Sequence, residues 1–182
     1  MADPKLLTIS GSLRKGAYNR MLLREAVRAF GPAEVTEADL GLPLYDGDLE
    51  EAEGVPGKVH ALVDQISAAD GIVISSPEYN KGITGAMKNA LDWVSRVPGG
   101  ALKAKPIVIM SANAGRTGGE AGQFMLISCL TPLQPDILPG PMLCVAAAGD
   151  EFDADNRLGN TQYQKVLTAK MEALRARITG AG

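Results

Sequence analysis

Along the chain, short apolar runs alternate with longer segments of helical spacing. The β-rich runs are Leu6–Ser10, Glu34–Leu40, Gly71–Ser75, Pro106–Ser111 and Met142–Ala147. Two of them, "GIVIS" and "PIVIM", are apolar without alternation, as strands covered on both faces should be. Between the runs, Met21, Leu22, Ala26, Val27 and Phe30 share one helical face. Ala86, Met87, Ala90, Leu91 and Val94 form a second stripe, and Tyr163, Leu167, Met171, Leu174 and Ile178 a third. Five strands alternating with five helices predict an α/β fold: a parallel sheet with helices on both faces. "LPLYDGDLEEAEGVP" and "LQPDILPGP" read as long loops of the kind that serve function or face a subunit.

Composition narrows the function classes. At 182 residues, the expectation is a single domain spanning 1–182 with a substantial core. Net charge is −3 with the cations scattered, which argues against nucleic acid and against an anionic membrane surface as partners. The apolar runs are too short to span a bilayer, and "MADPKLLTIS" has early charges and no signal-peptide core, so a cytoplasmic location is expected. Cys129 and Cys144 lack metal-site spacing and sit in apolar contexts, which favours two buried reduced thiols. The only histidine, His60, reads as a helix-surface residue, so neither a Ser-His-Asp triad nor a histidine-rich metal site is indicated.

In a sheet of this kind ligands bind beyond the carboxyl ends of the strands. The segments leaving strands one, three and four are "GSLRKGAYNR", "SPEYNKGITGAMKN" and "SANAGRTGGE", all rich in turn-forming polar residues. In the first, a helix N-terminus offers unpaired N–H groups suited to phosphate. Ser12 can add a hydroxyl, Arg14 a forked cation, and Asn19 an amide donor or a helix cap. A plain turn with an asparagine cap fits this loop equally well. The spacing matches neither the dinucleotide-binding nor the triphosphatase glycine pattern. In the second loop, Pro77 ends the strand, Tyr79 offers a flat surface, and backbone groups near Glu78 and Asn80 can meet a planar heterocycle.

Together "GSLRKGAYNR", "LPLYDGDLE", "SPEYNKGITGAMKNALDWVSR", "SANAGRTGG" and "FDADNRL" closely resemble the NADPH-dependent FMN reductase family, in its branch of bacterial quinone and chromate reductases. The resemblance implies a flavodoxin-like fold of five parallel strands in the order 2-1-3-4-5. It implies non-covalent FMN, NADPH or NADH as electron donor, and two-electron, ping-pong reduction of quinones, flavins or similar flat acceptors. It assigns Ser12, Arg14 and Asn19 to the FMN phosphate, and Pro77, Glu78, Tyr79 and Asn80 to the flavin ring and its side chain. Ser111 to Gly115, with Gly118 and Gly119, would form the loop beside the ring's pyrimidine end. The chemistry resides on FMN, so no side chain is assigned as catalytic and no metal is expected. Ala17 stands where the family often has serine, and "EAGQFMLISCL" replaces a helix start that often carries arginine. The alternative is an FMN-binding carrier or sensor without NAD(P)H turnover. A phospho-receiver domain is disfavoured, because "SGS" and "SSP" stand where acidic residues would be needed. The resemblance also implies a homodimer or homotetramer. The apolar segment Phe124–Leu133 suits burial on two sides; Trp93 reads as core or subunit packing, and with Val94 could supply the matching surface.

Overall fold

A computed structural model describes residues 3–180. The strands are β1 (Lys5–Ser10), β2 (Glu34–Glu37), β3 (Gly71–Ser75), β4 (Pro106–Ala112), β5 (Asp136–Ile137) and β6 (Leu143–Val145). The helices are α1 (Tyr18–Phe30), α2 (Gly47–Glu53), α3 (Gly57–Ala68), α4 (Gly85–Arg96), α5 (Glu120–Leu130), α6 (Ala148–Glu151) and α7 (Thr161–Thr179). All strand pairs are parallel, in the order β2-β1-β3-β4-β5, with β6 also on β4. This is the flavodoxin-like arrangement expected, with one addition. The fifth lane of the sheet holds two short strands rather than one. β5 pairs with the start of β4 at Pro106 and Ile107, and β6 with its end at Met110 to Ala112. Pro139, Gly140 and Pro141 lie between them, and proline cannot donate to a ladder, so the lane breaks there.

Side chains alternate across the sheet. Leu7, Ile9, Ile72, Ile74, Ile107 and Ile109 pack against α3, α4 and α5. Leu6, Val73, Val108 and Met110 pack against α1 and α7 through Leu22, Phe30, Leu167, Met171 and Leu174. β3 is buried along its whole length, which is why its sequence does not alternate.

Several expectations need correction. The second strand stops at Glu37, short of Leu40. The segment read as a long loop contains α2, whose first turn is capped by the Asp46 carboxylate accepting from Asp48 N–H at 2.9 Å. Tyr45, before it, is tied inward, edge-on to Trp93 at 5.0 Å and donating to Glu50 Oε2 at 3.1 Å. Trp93 is fully buried and donates to Pro43 O at 2.8 Å, and Val94 is buried beside it. Neither offers a subunit surface. The free thiols Cys129 and Cys144 are half-buried rather than enclosed, and His60 is exposed as expected. Among the described residues no helix is long and apolar enough to cross a membrane, and no cluster suits a metal ion.

Candidate functional site

The strand order reverses direction at β1, and the loops leaving β1, β3 and β4 surround a hollow at that edge. It has a volume of about 250 Å³. The first loop lines it with Ser12, Arg14, Ala17, Tyr18 and Asn19, the second with Pro77 and Tyr79, and the third with Ala112 to Gly115.

The first loop is held close to β3. Gly11 donates to Ser75 O at 2.9 Å and accepts from Thr84 Oγ1 at 2.6 Å. A Cβ at Gly11 would lie 2.1 Å from Ser76 Oγ, so only glycine fits this approach. Ser12 Oγ accepts from Arg14 N–H at 3.3 Å, which leaves the hydroxyl proton for another acceptor. Arg14 is exposed and forms no ion pair among the described residues. α1 begins at Tyr18, and the residue at its cap position, Ala17, makes no side-chain cap. The main-chain N–H groups of Tyr18 and Asn19 find no acceptor among the described residues. An uncapped helix start beside a hydroxyl and a free guanidinium suits a phosphate dianion.

The Asn19 side chain is committed elsewhere. It is buried, and its Nδ2 donates to Ala112 O at 2.8 Å. Its Oδ1 accepts from Ala112 N–H at 3.0 Å and from Ser75 Oγ at 2.8 Å. It ties α1 to the ends of β3 and β4 and presents its backbone, rather than its amide, at the helix start.

In the second loop Pro77 is buried and lines the hollow. Tyr79 and Gly82 exchange main-chain hydrogen bonds of 2.9 and 3.0 Å across a two-residue turn. Both turn residues, Asn80 and Lys81, have positive φ, as a type I′ turn requires. Tyr79 is left 59% exposed at the rim, and Asn80 sits at the turn's tip, outside the lining. The Glu78 carboxylate turns away from the hollow. It accepts from Gly122 N–H at 3.1 Å in the first turn of α5 and lies 3.5 Å from Lys81 Nζ. It thereby caps α5, whose own cap residue, Gly119, has no side chain to do so.

In the third loop Ser111 is fully buried beneath the lining. Its Oγ donates to Gly118 O at 2.6 Å and accepts from Gln123 Nε2 at 2.7 Å. Gly118 has φ +61, and a Cβ there would lie 2.5 Å from Cys144 C and O. Burial pushes the Cys144 thiol above its ordinary range. Gly115 stands at the open side, with Asn113 beside it reaching across to Glu78. Of the residues singled out in the sequence, Ser12, Arg14, Ala17, Asn19, Pro77, Tyr79 and the Ala112–Gly115 part of the third loop line the hollow. Glu78, Asn80 and Ser111 surround it without lining it. Tyr18 was missed. It stacks on Phe152 with centroids 6.1 Å apart, a pairing that no local signal reveals.

Comparison with known proteins identifies the family of the chain as a whole. The family model described as NADPH-dependent FMN reductase matches residues 4–150. An NAD(P)H-dependent FMN reductase of Pseudomonas aeruginosa is 39% identical over 174 residues, covering 94% of both chains. A quinone reductase of Escherichia coli is 40% identical over 141 residues, 75% of this chain and 74% of its own. Among solved structures, the flavoenzyme NAD(P)H:(acceptor) oxidoreductase from Paracoccus denitrificans superposes with a TM-score of 0.86. It is 27% identical, over 97% of this chain and 98% of its own.

Proposed function

The chain belongs to the NADPH-dependent FMN reductase family, and on that premise we propose that its three-loop hollow holds FMN and reduces quinones or similar flat acceptors at the expense of NAD(P)H. The observation that carries this is the uncapped start of α1, with two free N–H groups, opening into a hollow whose other walls come from the loops after β3 and β4. Those residues fit the cofactor. Ser12 Oγ, the Arg14 guanidinium and the N–H groups of Tyr18 and Asn19 would hold the phosphate. Pro77, Tyr79 and the Ala112–Gly115 segment would flank the ring, with Glu78, Asn80 and Ser111 holding these walls in shape. Bound FMN supplies two-electron redox chemistry between donor and acceptor.

The chain's own contribution is placement. Tyr79 offers a flat exposed side chain at the rim, against which a planar molecule can settle. Exposed backbone N–H groups in the third loop are available to negative charge that develops at that end. Donor and acceptor use the same opening in turn, which gives ping-pong kinetics. A quinone-type acceptor is supported by the quinone reductase relatives. A single domain and a cytoplasmic location are part of the same proposal. So is a homodimer or homotetramer. Phe124 and Met125 are 58% and 46% exposed on α5, and Met125 Sδ accepts from Ile83 N–H at 3.4 Å, beside the Tyr79 turn. That apolar patch at the rim is a surface a second copy would cover.

The test is an absorption spectrum of the purified protein followed by steady-state reduction of benzoquinone by NADPH. Bound FMN, hydroquinone as product and parallel double-reciprocal lines are expected. Bound FMN without NADPH consumption would replace the enzyme with a carrier or sensor. Intersecting lines would refute the shared opening.

A further inference from the structure

β3 and β4 run parallel with Ser75 opposite Met110. Continued by three residues, that register sets Glu78 opposite Asn113. The strands do not remain paired that far. Ser76 N–H still reaches Met110 O at 3.2 Å, but Pro77 has no N–H to give. Beyond it the two chains separate, and the hollow opens between Pro77 and the Ala112–Gly115 segment. Where the next main-chain pair would form, a side chain takes its place. Asn113 Oδ1 accepts from Glu78 N–H at 2.9 Å, and Asn113 Nδ2 donates to Glu78 O at 2.8 Å. A carboxamide offers an acceptor and a donor side by side, as a peptide group does, but at the end of a side chain. It therefore closes a gap too wide for backbone to span.

The two walls so joined are firmly held on their own sides. Asn113 N–H donates to Val145 O and Asn113 O accepts from Ala148 N–H, both at 3.0 Å, which continues the β4–β6 pairing. Glu78 is fixed through its carboxylate to the first turn of α5. The amide is thus the cross-tie between two anchored segments at the mouth of the hollow.

We propose that Asn113 is a positioning residue for the cofactor. Its amide replaces the strand pairing lost at Pro77 and sets the separation of the second and third loops before FMN enters. This rests on the placement of FMN in the hollow. No contact between Asn113 and the flavin is required.

Two variants test it, Asn113→Ala and Asn113→Asp, with FMN affinity measured by fluorescence titration of the apoprotein and amide exchange followed at Glu78. In Asn113→Ala, Glu78 N–H loses its acceptor, so its exchange should accelerate, and FMN affinity should fall about tenfold or more. In Asn113→Asp, the carboxylate still accepts from Glu78 N–H but sets an oxygen against Glu78 O. Protonation restores a donor there. Affinity relative to the unmodified protein should therefore be reduced at neutral pH and recover as the pH is lowered to about 4, where an ordinary aspartate takes up its proton. A merely structural defect would not recover. Arg14→Ala is the reference. If it weakens FMN while Asn113→Ala leaves affinity and Glu78 exchange unchanged, the proposal is overturned. It is equally overturned if exchange accelerates with no change in affinity, or if Asn113→Asp shows no recovery. If neither Arg14→Ala nor Asn113→Ala alters affinity, the cofactor placement itself fails, and the proposal with it.

Discussion

Asn19→Ala tests whether the buried amide under the first loop holds the sheet edge together. The side chain makes three hydrogen bonds, at 2.8 Å to Ala112 O, 3.0 Å from Ala112 N–H and 2.8 Å from Ser75 Oγ. Ala112 and Ser75 are almost fully buried, so water does not reach these groups from outside. Truncation leaves two main-chain groups and one hydroxyl without partners. A buried polar group left unpaired costs about 1–3 kcal/mol. The hydroxyl can rotate toward another acceptor, and a water entering the vacated space would relieve part of the rest. The two main-chain groups alone give about 2–6 kcal/mol, which hydration brings to a net loss of about 2–4 kcal/mol. Against a total stability of about 5–15 kcal/mol, that is a large fraction. With a urea m-value of about 2 kcal/mol/M, the midpoint of the apoprotein should fall by roughly 1–2 M. Urea denaturation followed by circular dichroism measures it. A midpoint shifted by less than about 0.3 M at unchanged m would show that the three bonds contribute little, and the account of Asn19 as a tie would be wrong.

Three further perturbations probe the site and its support. Arg14→Ala should weaken FMN binding by about 1.5–3 kcal/mol, the usual worth of a charged hydrogen bond, or roughly ten- to a hundredfold by fluorescence titration; unchanged affinity would remove Arg14 from the phosphate site. Gly118→Ala forces a Cβ to within 2.5 Å of Cys144 C and O at φ +61, so the third loop must shift; thermal unfolding should show a clear loss of stability, and a variant as stable as the parent would contradict the packing. Lys170, buried on α7, has its amine pushed below the ordinary lysine range by desolvation, so the folded state binds fewer protons than the unfolded between the two values, and its contribution to stability should rise with pH there. Lys170→Met should therefore be more stable than the parent at neutral pH, with the advantage shrinking at alkaline pH, as urea denaturation across that range would show; Cys144 and Lys170 act on each other's titration, so the comparison is made with Cys144 replaced by alanine in both proteins.

How much was legible in the sequence depended on whether the signal was local. β1, β3 and β4 are apolar runs that turns bound on both sides, and their positions were readable to within a residue or so. β5 was not, because Asp136–Ile137 is too short to show a period and sits among prolines. α2 was hidden for a different reason. "GDLEEAE" presents no apolar stripe, and the helix is held by a side-chain cap and by Glu50 pairing with Arg96 Nε at 2.9 Å, neither of which leaves a periodic trace. Between core and subunit packing for Trp93 the sequence does not choose, since a helix segment carries no mark of which loop will cover it; Pro43 and Tyr45 cover Trp93 from far along the chain.

The site shows the same division more sharply. Its polar residues look alike in sequence but separate in the structure into those that build the walls and those left free to face a ligand. Asn19 and Asn113 each match both main-chain groups of a distant residue, Ala112 and Glu78 respectively. The need for them arises from the hollow itself. A parallel sheet opens a crevice only where neighbouring strand ends part, and parting strands strand their peptide groups. Two amides at that edge restore the lost pairing, one from the α1 side and one across the mouth. A site motif rich in asparagine therefore reflects the cost of holding strands apart as much as the chemistry of the ligand. What remains unpaired after that cost is met, the N–H groups at the start of α1 with Ser12 and Arg14 beside them, is the part whose chemistry suits an anion.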